Sequence, residues 1–206
     1  MDRRKRIVLW RHGQTIWNAE GRFQGQSDIP LDETGRQQAQ RAARLLAALG
    51  PDVIFSSDLQ RAVETAEPLS RVTGLPVSLD KDLRERHGGE WEGLTDTEIR
   101  ERYPAEHAIW SPPGGETGAV IASRVDGALE RIAEELPPGG LAVVVSHGAA
   151  IRLGMSRLIG LPDELWGLFG PLSNCSWSLI GAGRRGWRVL EHNAGTLPEP
   201  VLGDDR

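Results

Sequence analysis

The sequence predicts an α/β fold of three layers, a mainly parallel central sheet with helices on both faces and an antiparallel strand or hairpin at one edge. Three observations carry this. Short, nearly continuous apolar runs stand at 7–10, 53–55, 77–79 and 141–145, the pattern of strands covered on both faces. Helical patterns separate them, and strands alternating with helices build parallel sheets. The last third instead offers two strand-like runs, 176–180 and 187–191, joined by Gly181-Ala182-Gly183-Arg184-Arg185-Gly186, which reads as a hairpin.

The helices follow from spacing and punctuation. After the first strand, Thr34-Gly35-Arg36 opens a helix whose Ala39, Ala42, Ala43, Leu46 and Leu49 share one face, closed by Gly50-Pro51. Asp58 is the expected cap of a helix through Ala62, Ala66 and Leu69 that ends near Gly74. Thr95-Asp96-Thr97-Glu98 has the form of a capping box for a short helix ending before Pro104. A long amphipathic pattern runs through Val120, Ile121, Val125, Leu129 and Ile132 and stops at Pro137-Pro138. His147 leads into a last helix over 148–159.

A length of 206 residues suits one domain, expected over 1–197, with 198–206 as a flexible tail. A net charge of −5 provides no basic surplus for nucleic acid, and the opening DRRKR run reads as a solvated lead-in to the first strand. One cysteine, Cys175, precludes an internal disulfide. No run approaches the roughly 18 apolar residues of a membrane span, and no apolar leader opens the chain. A cytoplasmic protein that binds neither nucleic acid nor membrane is expected. A homodimer follows only from the base rate of two-fold oligomers.

Three strand ends carry polar residues: Arg11-His12 after the first, Ser56-Ser57-Asp58 after the second, Ser146-His147-Gly148 after the fourth. Ligands of such folds collect there. A neutral imidazole among fixed cations is a sensible nucleophile toward a phosphate dianion, and guanidiniums fork onto phosphate oxygens. Gly13 allows close backbone approach to the histidine or the ligand. Arg61 lies in the first turn of its helix, near an N-terminus that favours anions. The amides of Gly148 and Ala149 are expected donors to phosphate oxygens, beside a His147 imidazole able to carry charge. The histidines, His12, His87, His107, His147 and His192, show no HxH or HExxH spacing, so no metal and no cofactor is expected. The tryptophans read as core and rim packing rather than a carbohydrate-stacking surface.

RHGQTIWNAEGRFQGQSDIPLDETG, SSDLQRAVETA, LRERHGGEWEGL and SHGAAI, in this order, resemble the histidine phosphatase superfamily, which includes the cofactor-dependent phosphoglycerate mutases. The resemblance covers residues 7 to about 160. It implies a phosphohistidine mechanism on a small phosphorylated metabolite. His12 matches the nucleophile, and Arg11, Arg61 and His147 match the phosphate pocket. Glu85 matches the acid and base, with Glu90 and Glu92 close enough in sequence to compete for that place. Asn18, Gln24 and Gly25 match substrate-touching positions of the first loop. Arg84, Arg86 and His87 read as solvated loop residues or rim contacts. An unprotonated His12 and a protonated Glu85 together imply a bell-shaped rate profile.

Within the family, the mutase branch has tyrosine where Gly88 stands, and an inserted stretch with paired arginines and a lysine; here only Arg100 and Arg102 flank a glutamate. The phosphatase branch is the expectation, with the mutase and a non-catalytic phospholigand-binding module as alternatives. The segment LSNCSWSLIGAGRRGWRVLEHNAG is similar to the end of the glucosyl-3-phosphoglycerate phosphatases within that branch, which makes that ester the leading substrate.

Overall fold

The computed structural model describes residues 4–195; the expected tail at 198–206 and the first residues of the DRRKR run lie outside them. Six strands form one sheet: β1 (Arg6–Arg11), β2 (Val53–Ser56), β3 (Val77–Leu79), β4 (Leu141–Ser146), β5 (Trp177–Gly183) and β6 (Gly186–Ala194). Their order is β3-β2-β4-β1-β5-β6. The first four are mutually parallel, while β5 and β6 run antiparallel at one edge. The helices are α1 (Ile16–Ala19), α2 (Glu33–Ala48), α3 (Gln60–Thr73), α4 (Asp96–Arg102), α5 (Pro104–Ala108), α6 (Gly118–Glu135) and α7 (Gly148–Leu158).

Alternate residues of the central strands feed two apolar layers. Val8 and Trp10 face Ala39, Ala42 and Leu46 of α2 and Ala62, Ala66 and Leu69 of α3. Ile7 and Leu9 face Ile121, Val125 and Leu129 of α6 and Ile151 and Met155 of α7. Burial on both faces is why these runs do not alternate with polar residues. Each large side chain so buried contributes about 1.5–3 kcal/mol, enough in sum to hold polar strand ends in a fixed place.

Those ends are locked to one another. β1 and β4 pair with Arg11 opposite Ser146, and the ladder continues one residue further, His12 N–H donating to the Ser146 carbonyl at 3.0 Å. Ser57 N–H donates to the Val145 carbonyl at 2.9 Å. The chain leaves β1 for α2 on one face and leaves β4 for α7 on the other, which opens a crevice beyond adjacent carboxyl ends. A third apolar cluster, Phe23, Trp91 and Ile99 with Trp110 against it, is built from the loops that follow β1 and β3. Trp91 and Trp110 meet edge to face at 5.0 Å.

Three sequence expectations change. Asp58 does not cap α3: its carboxylate is paired with Arg84, Nε and Nη2 donating at 2.6 Å each, and Asp28 caps instead by accepting Gln60 N–H at 2.6 Å. Pro104 ends α4 but also starts α5, since its missing N–H costs nothing in a first turn. The edge hairpin is longer than the apolar runs, with β5 and β6 reaching Gly183 and Gly186 and leaving Arg184-Arg185 as a two-residue turn. The Thr95–Glu98 capping box forms as expected, Thr95 Oγ1 accepting Glu98 N–H at 3.3 Å.

Gly13 also acts differently from expectation. A Cβ there would stand 2.6 Å from the Gly35 carbonyl oxygen, and a Cβ on Gly35 2.1 Å from the Gln14 carbonyl oxygen. The close approach that the structure shows is to the first turn of α2. Alanine normally stabilises a helix relative to glycine by up to about 1 kcal/mol; at Gly35 backbone overlap reverses the sign. Gly35→Ala is expected to lower unfolding free energy by about 1–3 kcal/mol in urea titration, where an unchanged or raised midpoint would show that this contact is slack.

Candidate active site

His12 and His147 leave adjacent strand ends, and their ring centroids stand 5.2 Å apart. Both are essentially fully buried. His12 Nδ1 lies 2.7 Å from the Gly13 carbonyl oxygen. A carbonyl only accepts, so Nδ1 carries the ring proton and Nε2 keeps its lone pair. His147 Nε2 is 2.8 Å from Ser57 Oγ, which also accepts Leu59 N–H at 3.3 Å. His147 Nδ1 is buried without a hydrogen-bond partner among the described residues.

Two buried guanidiniums accompany the rings. Arg61, at the start of α3 as expected, donates from Nη2 to the Gly25 carbonyl at 2.7 Å and from Nη1 to the Ser27 carbonyl at 2.8 Å. Gly25 has φ +53°, a left-handed conformation that glycine adopts freely, and a Cβ there would strike the Glu92 carboxylate. Arg11 donates to the Leu172 carbonyl. Burial first, and then the charges of Arg61 and Arg11, push the His12 imidazole well below its usual 6.5. Burial and then Arg61 do the same to His147, so it is neutral rather than charged in the unliganded site. Arg61 is lowered by burial to about 10, with Glu85 and Asp28 opposing the shift; it remains a cation at neutral pH.

Among the three neighbouring glutamates, geometry separates Glu85. Its Oε2 accepts Ala149 N–H at 3.1 Å, and its Oε1 accepts Ala150 N–H at 3.1 Å and Arg86 N–H at 2.7 Å. The Ala149 and Ala150 N–H groups are first-turn amides of α7, without partners inside the helix. The Ala149 amide is therefore engaged by Glu85 and is not a free donor in this state, a departure from the sequence expectation. Glu92 accepts Gln26 N–H and Gly88 N–H at 2.9 Å each and Ser27 O–H at 2.6 Å, and so ties two loops together. Glu90 accepts the Tyr103 hydroxyl at 2.7 Å. Arg84 is occupied by Asp58, and His87 is exposed, its Nδ1 at 3.1 Å from the Gly114 carbonyl.

A cleft of about 480 Å³ opens over this group, with Arg11, His12, Asn18, Gln24, Gly25, Arg61, Glu85 and Ala149 on its wall. Gly13, His147 and Gly148 are not on that wall: His147 stands behind it, its ring 5.2 Å from that of His12, and Gly13 supports it, donating N–H to Thr65 Oγ1 at 3.0 Å. Asn18 closes a reciprocal cap with Thr15, its Oδ1 accepting Thr15 N–H at 3.1 Å. Gln24 Oε1 accepts the Thr15 hydroxyl at 2.9 Å. Arg86 reaches the wall while donating to the carbonyls of Glu116 and Trp110 at 2.9 and 3.0 Å.

Other contributors carried little sequence signal. Asn174 Nδ2 donates to the His12 carbonyl and to Asn18 Oδ1, both at 3.2 Å, so the Asn-Cys-Ser-Trp segment supports the loop that begins at His12. Arg124 of α6 donates to the carbonyls of Asp82, Arg84 and Glu85 at 2.6–2.9 Å and fixes the segment that carries Glu85. Arg22, Phe23, Trp110, Arg152 and Trp166 also line the cleft. Arg152 was open to discovery, since it follows Ala149 by three residues on one helix and so shares its face.

Known proteins agree with this geometry. The histidine phosphatase superfamily (branch 1) profile matches residues 7–195. The chain is 40% identical over 185 residues to a glucosyl-3-phosphoglycerate phosphatase of Mycolicibacterium vanbaalenii, covering 84% of this chain and 82% of that one. It is 38% identical over 188 residues to a probable phosphoglycerate mutase GpmB of Cronobacter sakazakii, covering 88% and 86%. A solved mycobacterial glucosyl-3-phosphoglycerate phosphatase complexed with VO3 superposes with a TM-score of 0.88 at 38% identity, over 92% of this chain and 99% of that one. With four motifs, one fold and all three comparisons in accord, the chain belongs to the histidine phosphatase superfamily.

Proposed function

We propose that the protein hydrolyses small phosphate monoesters through a phosphohistidine at His12, with glucosyl-3-phosphoglycerate as the leading substrate. The observation that carries this is the fixed tautomer of His12: a buried, neutral ring with an unprotonated Nε2, on the wall of the cleft that Arg11, Arg61 and Glu85 also line. Nε2 attacks phosphorus, the ester P–O bond breaks, and the leaving oxygen takes a proton from Glu85. Water then attacks phosphorus, giving a proton to Glu85, while the P–N bond breaks and its electron pair returns to Nε2, which leaves phosphate and neutral His12. Arg11 and Arg61 stabilise the charge on the transferring oxygens, the term that dominates phosphoryl transfer. A Ser57 hydroxyl proton on the His147 Nε2 contact leaves the His147 ring proton on Nδ1, as a further donor to phosphate.

Hydrolysis is favoured over mutase action by the disposition of Arg100 and Arg102, the arginines of the stretch in which the mutases carry their pair. Arg100 is paired with Asp96 and Arg102 faces Glu98 at 3.9 Å, both on exposed α4 and off the cleft wall. The substrate preference draws on the glucosyl-3-phosphoglycerate phosphatases at 40% identity.

Rapid-quench labelling is expected to give an acid-labile phosphoprotein that is absent in His12→Ala, with turnover reduced at least about 10⁴-fold; a His12→Ala enzyme of full activity would refute the mechanism. In a panel of esters scored by kcat/KM, free phosphate is expected from glucosyl-3-phosphoglycerate, while 2-phosphoglycerate formed from 3-phosphoglycerate would establish a mutase. No turnover of any ester, p-nitrophenyl phosphate included, would leave a binding module.

The depressed histidines also make a stability prediction. Above pH 6.5 both imidazoles are neutral folded and unfolded, and contribute no slope. Below it, the unfolded rings bind protons that the buried rings refuse. Stability therefore falls with falling pH, by up to about 1.4 kcal/mol per pH unit for each ring. Urea midpoints between pH 7 and 5 are expected to fall less steeply in His147→Gln than in the parent, and parallel slopes would contradict neutral burial.

A further inference from the structure

We infer that Arg152 binds a second anionic group, a carboxylate, on the ester in the cleft, so that phosphorylated small hydroxy acids are the preferred substrate class. The inference rests on the phosphatase reading and adds the residue that selects the acid.

Five arginines line the cleft: Arg11, Arg22, Arg61, Arg86 and Arg152. Four already donate to protein acceptors. Arg11 uses the Leu172 carbonyl, Arg61 those of Gly25 and Ser27, and Arg86 those of Glu116 and Trp110. Arg22 donates to the Gly93 carbonyl at 2.8 Å and to the Glu20 carboxylate at 2.7 Å. The Arg152 side chain has no hydrogen bond or ion pair among the described residues, and its Nε is buried without a partner. Neither carboxylate of the wall, Glu85 or Asp163, is paired with it.

An unsatisfied buried donor is costly, and on a cleft wall the cost is relieved by an acceptor that arrives with the ligand. Position gives that acceptor its identity. Arg152 lies three residues beyond Ala149, whose N–H holds the Glu85 carboxylate at 3.1 Å. At 1.5 Å of rise per residue this is about 4.5 Å further along one face of α7. Leu153, next to it, is on the wall as well. The phosphoryl group occupies the end with His12, Arg11 and Arg61, and a carboxylate on the same small molecule then meets Arg152, whose planar fork matches a carboxylate.

The test compares 3-phosphoglycerate with glycerol 3-phosphate, which lacks the carboxylate, in the parent enzyme, Arg152→Gln and Arg152→Lys. The parent is expected to favour the acid. In Arg152→Gln the ratio of kcat/KM for acid over alcohol should fall about tenfold to a hundredfold, mainly through KM, the loss of one charge-assisted pair. Arg152→Lys should recover part of the ratio. An unchanged ratio in both variants, or equal loss on both esters, overturns the assignment while the parent's hydrolysis of either ester leaves the phosphatase reading intact. A parent that cleaves neither ester nor p-nitrophenyl phosphate overturns the phosphatase reading, and this inference falls with it.

Discussion

The site depends on a single constraint: two imidazoles and two guanidiniums share a volume from which water is nearly excluded. Four positive charges there would repel one another at low dielectric. The protein resolves this by keeping the rings neutral and by giving the guanidiniums carbonyl oxygens to lean on. A neutral ring among cations is also what a dianionic phosphate requires. The electrostatic solution to burial and the chemistry of the proposed reaction are thus one arrangement.

The fold makes that arrangement rigid. His12 is held in the β1–β4 ladder by its own amide, Gly13 is pressed against Gly35, and Asn174 holds the His12 carbonyl. His147 leaves the neighbouring strand and reaches Ser57, just past the end of a third. Glu85 is the exception to ladder placement: it sits on a loop, fixed from below by Arg124 and held in front by the first turn of α7. The helix amides thereby steady the Glu85 carboxylate on the cleft wall that His12 also lines.

Much of this was legible in the sequence. The polar residues after three apolar runs marked the crevice, and family motifs marked Arg11, His12, Arg61, Glu85 and His147, which the fold brings to one place. Strand order was not legible, because parallel strands of nearly identical composition differ only in their long-range partners. Asp58 misled for a physical reason: an aspartate before a helix suits capping, but Arg84, 26 residues away, offers a stronger bidentate partner. Gly13 invited a ligand-approach reading because its close neighbour, Gly35, is known only once α2 is packed. Arg124 and Asn174 left no local signature, since they act through backbone carbonyls of distant segments.

The most direct measurement is the protonation and tautomeric state of His12, read from ¹H–¹⁵N long-range correlation NMR of the unliganded protein at pH 6. The expected result is a neutral ring with its proton on Nδ1, bonded to the Gly13 carbonyl, and a bare Nε2. An imidazolium at that pH, or a proton on Nε2, would contradict it.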